Sequence, residues 1–331
     1  FQSQASPFIG LFIGILATGL IQSSSTTTSL VVGMVAAGTF GSDPKLAVAA
    51  AVPYIMGANI GTSITNTIVS LGHIVNKEEF KRAFSASVVH DFFNILAVIV
   101  IFPLELAFGI ISKFAMTISI VLVGGGGGTF TSPVKLITKP TVKWIENLFQ
   151  QQSIIEPNVI LLITALAFLF FSLRNLTKLI KSLVMFRLQA FFDTHIFKTT
   201  IRAVLFGALI TILVQSSSIT TSLVIPLAGA GILSLRQIFP YTLGANIGTT
   251  ITSLLASMVS GTIAPLAVAL SHLSFNILGI SLLYPIKFVR EIPIRLAEWF
   301  SDLATQNKIY PLLYILIVFF LIPLSLISLV R

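Results

Sequence analysis

Gln22-Ser23-Ser24-Ser25-Thr26-Thr27-Thr28-Ser29-Leu30-Val31 returns as Gln215-Ser216-Ser217-Ser218-Ile219-Thr220-Thr221-Ser222-Leu223-Val224. A second block, Gly57-Ala58-Asn59-Ile60-Gly61-Thr62, returns as Gly244-Ala245-Asn246-Ile247-Gly248-Thr249. A third, His90 with Phe93-Asn94-Ile95-Leu96 and Pro103, returns as His272 with Phe275-Asn276-Ile277-Leu278 and Pro285. The offsets fall from 193 to 187 to 182, a drift that small loop deletions explain. Three blocks in one order make the chain two copies of a single unit, residues 1–103 and 196–287.

The medium around that unit follows from composition. Of 331 residues, 55% are hydrophobic and 9% are charged, with mean hydropathy +0.98. A soluble domain carries roughly 25% charged residues, so an ordinary water-soluble enzyme is excluded. Cysteine is absent, which removes disulfides and thiolate metal sites. Runs with few or no charges cover 7–42, 46–76, 83–104, 158–173, 203–235, 237–286 and 309–330, and a helix needs about 20 apolar residues to cross a bilayer. The fold expected is an all-α polytopic membrane protein. Each Ser-rich block reads as the tip of a re-entrant hairpin, and each Asn-Ile-Gly as a break in a transmembrane helix.

Relative orientation depends on the crossings between the two hairpins. The stretch 105–123 holds Glu105 and Lys113 and runs into Gly124–Gly128, so it is placed at the interface, within an outer region 104–157. Crossings at 46–76, 83–104 and 158–173 remain, an odd number, and the repeats are therefore expected to be inverted. Residues 158–195 supply a span and an interfacial helix ahead of copy two; 288–331 supply a surface helix and a final span. Only Phe1 to Pro7 stand ahead of the first copy's apolar run, so an N-terminal helix of the first unit is expected outside this sequence.

Charge checks that layout. Of the 20 basic residues, 14 fall on one side, in loops 76–82, 174–202 and 287–308 and at Arg236. Lys45, Lys113, Lys135, Lys139, Lys143 and Arg331 make up the other six. The excess of positive charge places the first side in the cytoplasm of a cell-membrane protein. The net charge of +9 thus follows topology rather than an anionic partner, and nothing points to nucleic acid.

The repeated blocks carry the chemistry. Hydroxyls in a lipid setting must find partners. At a hairpin tip the second arm offers free N–H groups and the positive end of a helix dipole to an anion. The first arm ends in carbonyls suited to a cation, and hydroxyls serve either. Close helix packing through small polar residues is the competing reading. In the Asn-Ile-Gly-Thr blocks glycine permits a break, while Asn59, Thr62 and Thr65, and Asn246, Thr249 and Thr252, offer oxygens to a hard cation; a kink or a cap is the alternative. His90 with Asn94, and His272 with Asn276, share helix faces and read first as buried His–Asn hydrogen bonds that orient a neighbouring helix, with direct ligation as the alternative. Asp91, replaced by Leu273 in copy two, is an intramembrane acid and so a functional candidate, or else a partner for His90 or Arg82. No HExxH, paired aspartates or relay triad is present; Gly124–Gly128 lacks a P-loop lysine, and Asn175-Leu176-Thr177 is a sequon on the inner side.

Taken together, these blocks resemble the type II sodium–phosphate cotransporter family. So do Met56 to Thr67, Val89-His90-Asp91-Phe92-Phe93-Asn94 and Ile137-Thr138-Lys139-Pro140. The resemblance runs over nearly the whole chain and implies Na⁺-driven uptake of inorganic phosphate, with no cofactor beyond the co-transported ion. It implies phosphate contacts from Gln22, Ser23, Ser24, Ser25, Gln215, Ser216, Ser217 and Ser218. It implies sodium contacts from Gln215, Ser216, Thr249 and Thr252, and from Asn94. Asp91 falls where electrogenic members keep an aspartate and electroneutral members a glycine. Asn76 stands where vertebrate members have an acid, and Ala245 where they have a serine. The short, Cys-free 104–157 region is similar to bacterial-type members. Alternating access is the expected mechanism. The alternatives are transport of another oxyanion such as sulfate or arsenate, a regulatory membrane component, and a channel.

Overall fold

The computed structural model describes residues 6–123, 133–150 and 196–329, with isolated positions 160, 161, 163, 164, 167, 168 and 171. Gly124–Gly128, the sequon at Asn175 and most of the 158–195 segment lie outside the described residues. Among the described residues the structure is entirely helical. The first copy contains α1 (Pro7–Ile21), α2 (Ser24–Ala36), α3 (Pro44–His73) and α4 (Lys77–Phe108). Next come α5 (Ile110–Val123) and α6 (Pro133–Gln150). The second copy contains α7 (Thr200–Val214), α8 (Ser217–Gly229), α9 (Leu235–Ser260) and α10 (Ile263–Leu283), followed by α11 (Lys287–Gln306) and α12 (Tyr310–Leu329). Helices α3, α4, α10 and α12 are long and apolar enough to cross a membrane.

Local chemistry sets the helix ends. The Asn76 side chain accepts from the backbone N–H of Glu78 and Glu79 and starts α4. That helix runs through Pro103 to Phe108 and stops at Gly109, whose φ of 63° is left-handed. Buried Glu105 then turns back to cap α5, accepting from the Ile111 N–H at 2.7 Å. The stretch 105–123 is therefore the end of α4 plus a separate helix that packs on α3 and α10.

Glycine spacing explains how the copies hold together internally. A Cβ on Gly57 would lie 1.9 Å from the Leu11 carbonyl oxygen, and one on Gly244 1.9 Å from that of Val204. At Gly61 and Gly248, four residues on, a Cβ would lie 2.7 Å and 2.6 Å from atoms of α1 and α7. Each Gly-Ala-Asn-Ile-Gly is thus a small-xxx-small notch that lets α1 lie on α3 and α7 on α9. This revises the reading of those glycines as breaks for the second copy only. In the first copy Gly61–Ser63 tightens to a 3₁₀ turn, whereas α9 continues unbroken through Asn246-Ile247-Gly248.

The copies also pack against each other in matched fashion. Helix α2 lies on α9 and α10, and α8 lies on α3 and α4. The shared core includes Val48, Ala51, Met56, Val88, Val89, Phe93, Ala267 and Phe275, all essentially inaccessible. Along one end α11 runs beside α4, with Lys81 paired to Asp302 and the Phe84 and Phe300 rings 5.3 Å apart. Arg236 bonds Glu291 at 2.7 Å and holds its carboxyl below the usual range.

Candidate functional site

Gln22 and Gln215 have φ of 58° and 55°, and among the described residues no other non-glycine has a positive φ. Each closes a helix in a left-handed cap: the Gln22 N–H donates to the Thr18 carbonyl and the Gln215 N–H to that of Thr211, both at 2.7 Å. A non-glycine in this region stores strain, and it recurs at matched positions. The next residue, Ser23 or Ser216, is extended and caps the following helix. Ser23 Oγ accepts from Thr26 N at 3.2 Å, and Ser216 Oγ from Ile219 N at 3.4 Å. Ser24, Ser25, Ser217 and Ser218 lie buried in the first turns that follow.

Each strained glutamine is held by the other motif of its own copy. Thr65 Oγ1 donates to Gln22 Oε1 at 3.2 Å, and Thr252 Oγ1 to Gln215 Oε1 at 2.7 Å. Thr62 and Thr249, one turn earlier, are buried and turn their hydroxyls back to the Ala58 and Ala245 carbonyls. Ala245 itself is fully buried.

Between copies the contacts are polar and nearly two-fold. Asn59 Nδ2 donates to Asn276 Oδ1 at 2.9 Å, and Asn246 Nδ2 to Asn94 Oδ1 at 2.8 Å. Asn94 also donates to the Asn59 carbonyl. Ser218 Oγ reaches the Thr62 carbonyl at 3.4 Å, while Thr221 and Ser222 both donate to Asn66 Oδ1. The symmetry fails at the histidines. His90 Nε2 lies 2.6 Å from Asn246 Oδ1, so its partner belongs to the other copy, whereas both ring nitrogens of buried His272 are unpartnered.

Asp91 is fully buried and touches neither His90 nor Arg82 through a hydrogen bond. Tyr314 of α12 donates to its Oδ2 at 3.1 Å, while Oδ1 has no partner. Arg82 Nε instead donates to the Gly229 carbonyl at 2.9 Å, tying α4 to the end of α8. The positions equivalent to Arg82 and Gly229 are Ala264 and Ala36. They line a cavity of about 440 Å³ with Gly38, Ser42 and Thr262 at the other end of the molecule.

Sequence reasoning passed over Thr18 and Thr211. Both are fully buried with unpartnered hydroxyls, one turn before each glutamine and against Gly61 and Gly248. Their equal spacing from Gln22 and Gln215 was the available signal. Tyr314 was also missed, since it lies outside both copies and no repeat points to it. Among the described residues no cluster of His, Cys, Asp and Glu could hold a multivalent metal. The site offers hydroxyl, amide and carbonyl oxygens, backbone N–H groups and one carboxylate, with no lysine or arginine in the repeated motifs.

The family described as Na+/Pi-cotransporter matches residues 2–125 and 168–297, and the chain belongs to it. Among curated proteins, the human sodium-dependent phosphate transport protein 2B is 35% identical over 97% of this chain. The sheep sodium-dependent phosphate transport protein 2A is 34% identical over 96% of this chain. The chain spans 58% of the former's length and 60% of the latter's. No solved structure matches it. Its helices and these relatives make it a multi-pass membrane protein.

Proposed function

We propose that this member of the family is a secondary active symporter, coupling Na⁺ to uptake of inorganic phosphate by alternating access in a cell membrane. The observation that carries the reading is the pair of left-handed Gln-Ser turns, each latched by a threonine of its own copy and each opening a helix rich in buried hydroxyls. In this reading α1–α2 and α7–α8 are re-entrant hairpins, and the two copies are inverted repeats. Their tips form one site, with Gln22 to Ser25 and Gln215 to Ser218 donating to phosphate oxygens. Gln215, Ser216, Thr249 and Thr252 supply oxygens to one Na⁺; Asp91 and Asn94 supply them to another. The relatives' names, sodium-dependent phosphate transport proteins, support Na⁺ and phosphate as the ions carried.

Electrostatics gives the coupling a physical basis. A phosphate dianion entering motifs without a basic side chain needs borrowed positive charge. A cation 4 Å away supplies about 4 kcal/mol for each unit of anion charge at an effective dielectric near 20, enough to make anion affinity depend on Na⁺. Unequal ends of an otherwise matched pair support alternating access. Arg82 closes the end at Gly229, and the equivalent positions at the other end leave a cavity. With loops 76–82, 174–202 and 287–308 cytoplasmic, the closed end faces inward. Asp91, unpaired by any basic side chain, supports an electrogenic cycle.

Purified protein in proteoliposomes tests the reading: an inward Na⁺ gradient should concentrate phosphate, and replacement by choline should abolish uptake. Flux that merely equilibrates phosphate, or that ignores Na⁺, would overturn it. Competition by sulfate and arsenate separates phosphate from the other oxyanions that the same hydroxyls could hold.

A further inference from the structure

We infer that α12 is part of the cation site, with Tyr314 as the positioning residue that holds the Asp91 carboxylate so that one oxygen is left for the ion. This rests on the reading of Asp91 as a Na⁺ ligand. Tyr314 is fixed from three sides before its hydroxyl is considered. Its ring centroid lies 5.0 Å from Phe300, 5.7 Å from Phe319 in an edge-to-face contact, and 6.3 Å from Phe92. These neighbours come from α11, from α12 itself and from the residue next to Asp91. Such aromatic pairs prefer defined geometries, so the ring has little freedom to swing away.

The hydroxyl reaches Asp91 Oδ2 at 3.1 Å, and Oδ1, fully buried, has no partner. A buried carboxylate oxygen without a donor is costly, and the hydroxyls beside this carboxyl, Tyr314 and Ser63, are neutral, so the anion has no opposite charge. A cation at Oδ1 supplies it. The same helix reaches the first hairpin. Residues Ile317–Leu321 form a π-helical segment that packs on α1, and Phe319 and Phe320 lie beside Gly19, three residues before Gln22. π-segments concentrate at functional sites. One helix thus contacts both the proposed cation ligand and the arm leading to the proposed anion site.

Tyr314→Phe removes one oxygen atom and leaves the aromatic packing. In proteoliposomes, the Na⁺ concentration giving half-maximal uptake should rise on the order of tenfold, as for outer partners of metal ligands. Half-saturation by phosphate at saturating Na⁺ should not move, as it would for a merely structural tyrosine, and Na⁺ should raise the melting temperature less in Tyr314→Phe than in the unaltered protein. Asp91→Asn should change the Na⁺ dependence too, and Tyr314→Phe added to it should cause no further shift. A wild-type Na⁺ dependence for Tyr314→Phe, or an undiminished shift in the Asp91→Asn background, would overturn the role of Tyr314 alone. A wild-type Na⁺ dependence for Asp91→Asn would overturn the underlying cation reading and this inference with it.

Discussion

Thr252 Oγ1 donates to Gln215 Oε1 at 2.7 Å, joining the strained cap at the end of α7 to the middle of α9. The matched pair, Thr65 with Gln22, is longer at 3.2 Å and more exposed. Thr252→Val keeps the side-chain shape and deletes the donor. A net loss of about 1 kcal/mol should weaken Na⁺-dependent uptake roughly five-fold, and Thr65→Val should do less. Uptake measured over a Na⁺ series checks the order; equal effects would sever the link to bond length.

The asparagine pairs between copies give a stability test. Asn246 donates to Asn94 at 2.8 Å while accepting the contact of His90 at 2.6 Å, all three buried. Asn246→Ala strands two buried polar groups and should cost about 1–3 kcal/mol for each. Adding Asn94→Ala should cost less than its effect alone, because the pair is already broken. Thermal unfolding in detergent of both single variants and the double variant reads the non-additivity.

Glycine substitutions separate packing from flexibility. Gly57→Ala and Gly244→Ala place a Cβ 1.9 Å from a backbone oxygen, which the helices can relieve only by parting, at about 3 kcal/mol or more. Gly33 in α2 has nothing within 4 Å of a built Cβ, so Gly33→Ala should leave folding intact or improve it slightly through helix propensity. Expression and melting temperature should rank Gly33→Ala well above the other two.

These positions also show what could be read from the chain. Repetition exposed the two-copy organisation and both Gln-Ser turns, because the blocks are long and in order. The Gly-Ala-Asn-Ile-Gly blocks misled in part: glycine signals permission, and a notch and a break require the same residue. Only the neighbouring Leu11 and Val204 carbonyls decide between them. Spacing likewise put His90 and Asn94 on one face, yet their shared partner is Asn246 from the other copy. A helical period names a face, never what comes to lie against it. Tyr314 was invisible for the same reason, being unrepeated and far from Asp91 in the chain.

The Arg236–Glu291 pair gives a pH signature outside the membrane-spanning helices. Glu291 is held below its ordinary value chiefly by the Arg236 hydrogen bond. A depressed folded value means that its contribution is present above the unfolded carboxylate range, near 4.3, and is lost as pH falls through the lower folded value. Arg236→Gln should therefore lower the melting temperature slightly at pH 7. The difference should vanish in acid and shrink in high salt, since the arginine is exposed. A difference that persisted at pH 3 would assign the effect to packing.

The unequal ends of the molecule make the last test. Arg82 Nε meets the Gly229 carbonyl at 2.9 Å, and its counterpart Ala264 faces a cavity across from Ala36. If this contact holds one end shut, Arg82→Ala should favour opening there. A bond from a charged donor contributes about 1.5–3 kcal/mol, so the ratio of closed to open molecules should fall about ten-fold or more. A cysteine placed at Ala228, buried at this end of α8, in this Cys-free chain should then react faster with a water-soluble thiol reagent when Arg82 is replaced, and one at Ala36 more slowly. Phosphate with Na⁺ should alter both rates if the ends open in turn. Faster labelling at both positions at once would mean that the two ends loosen together, and alternating access would not survive that result.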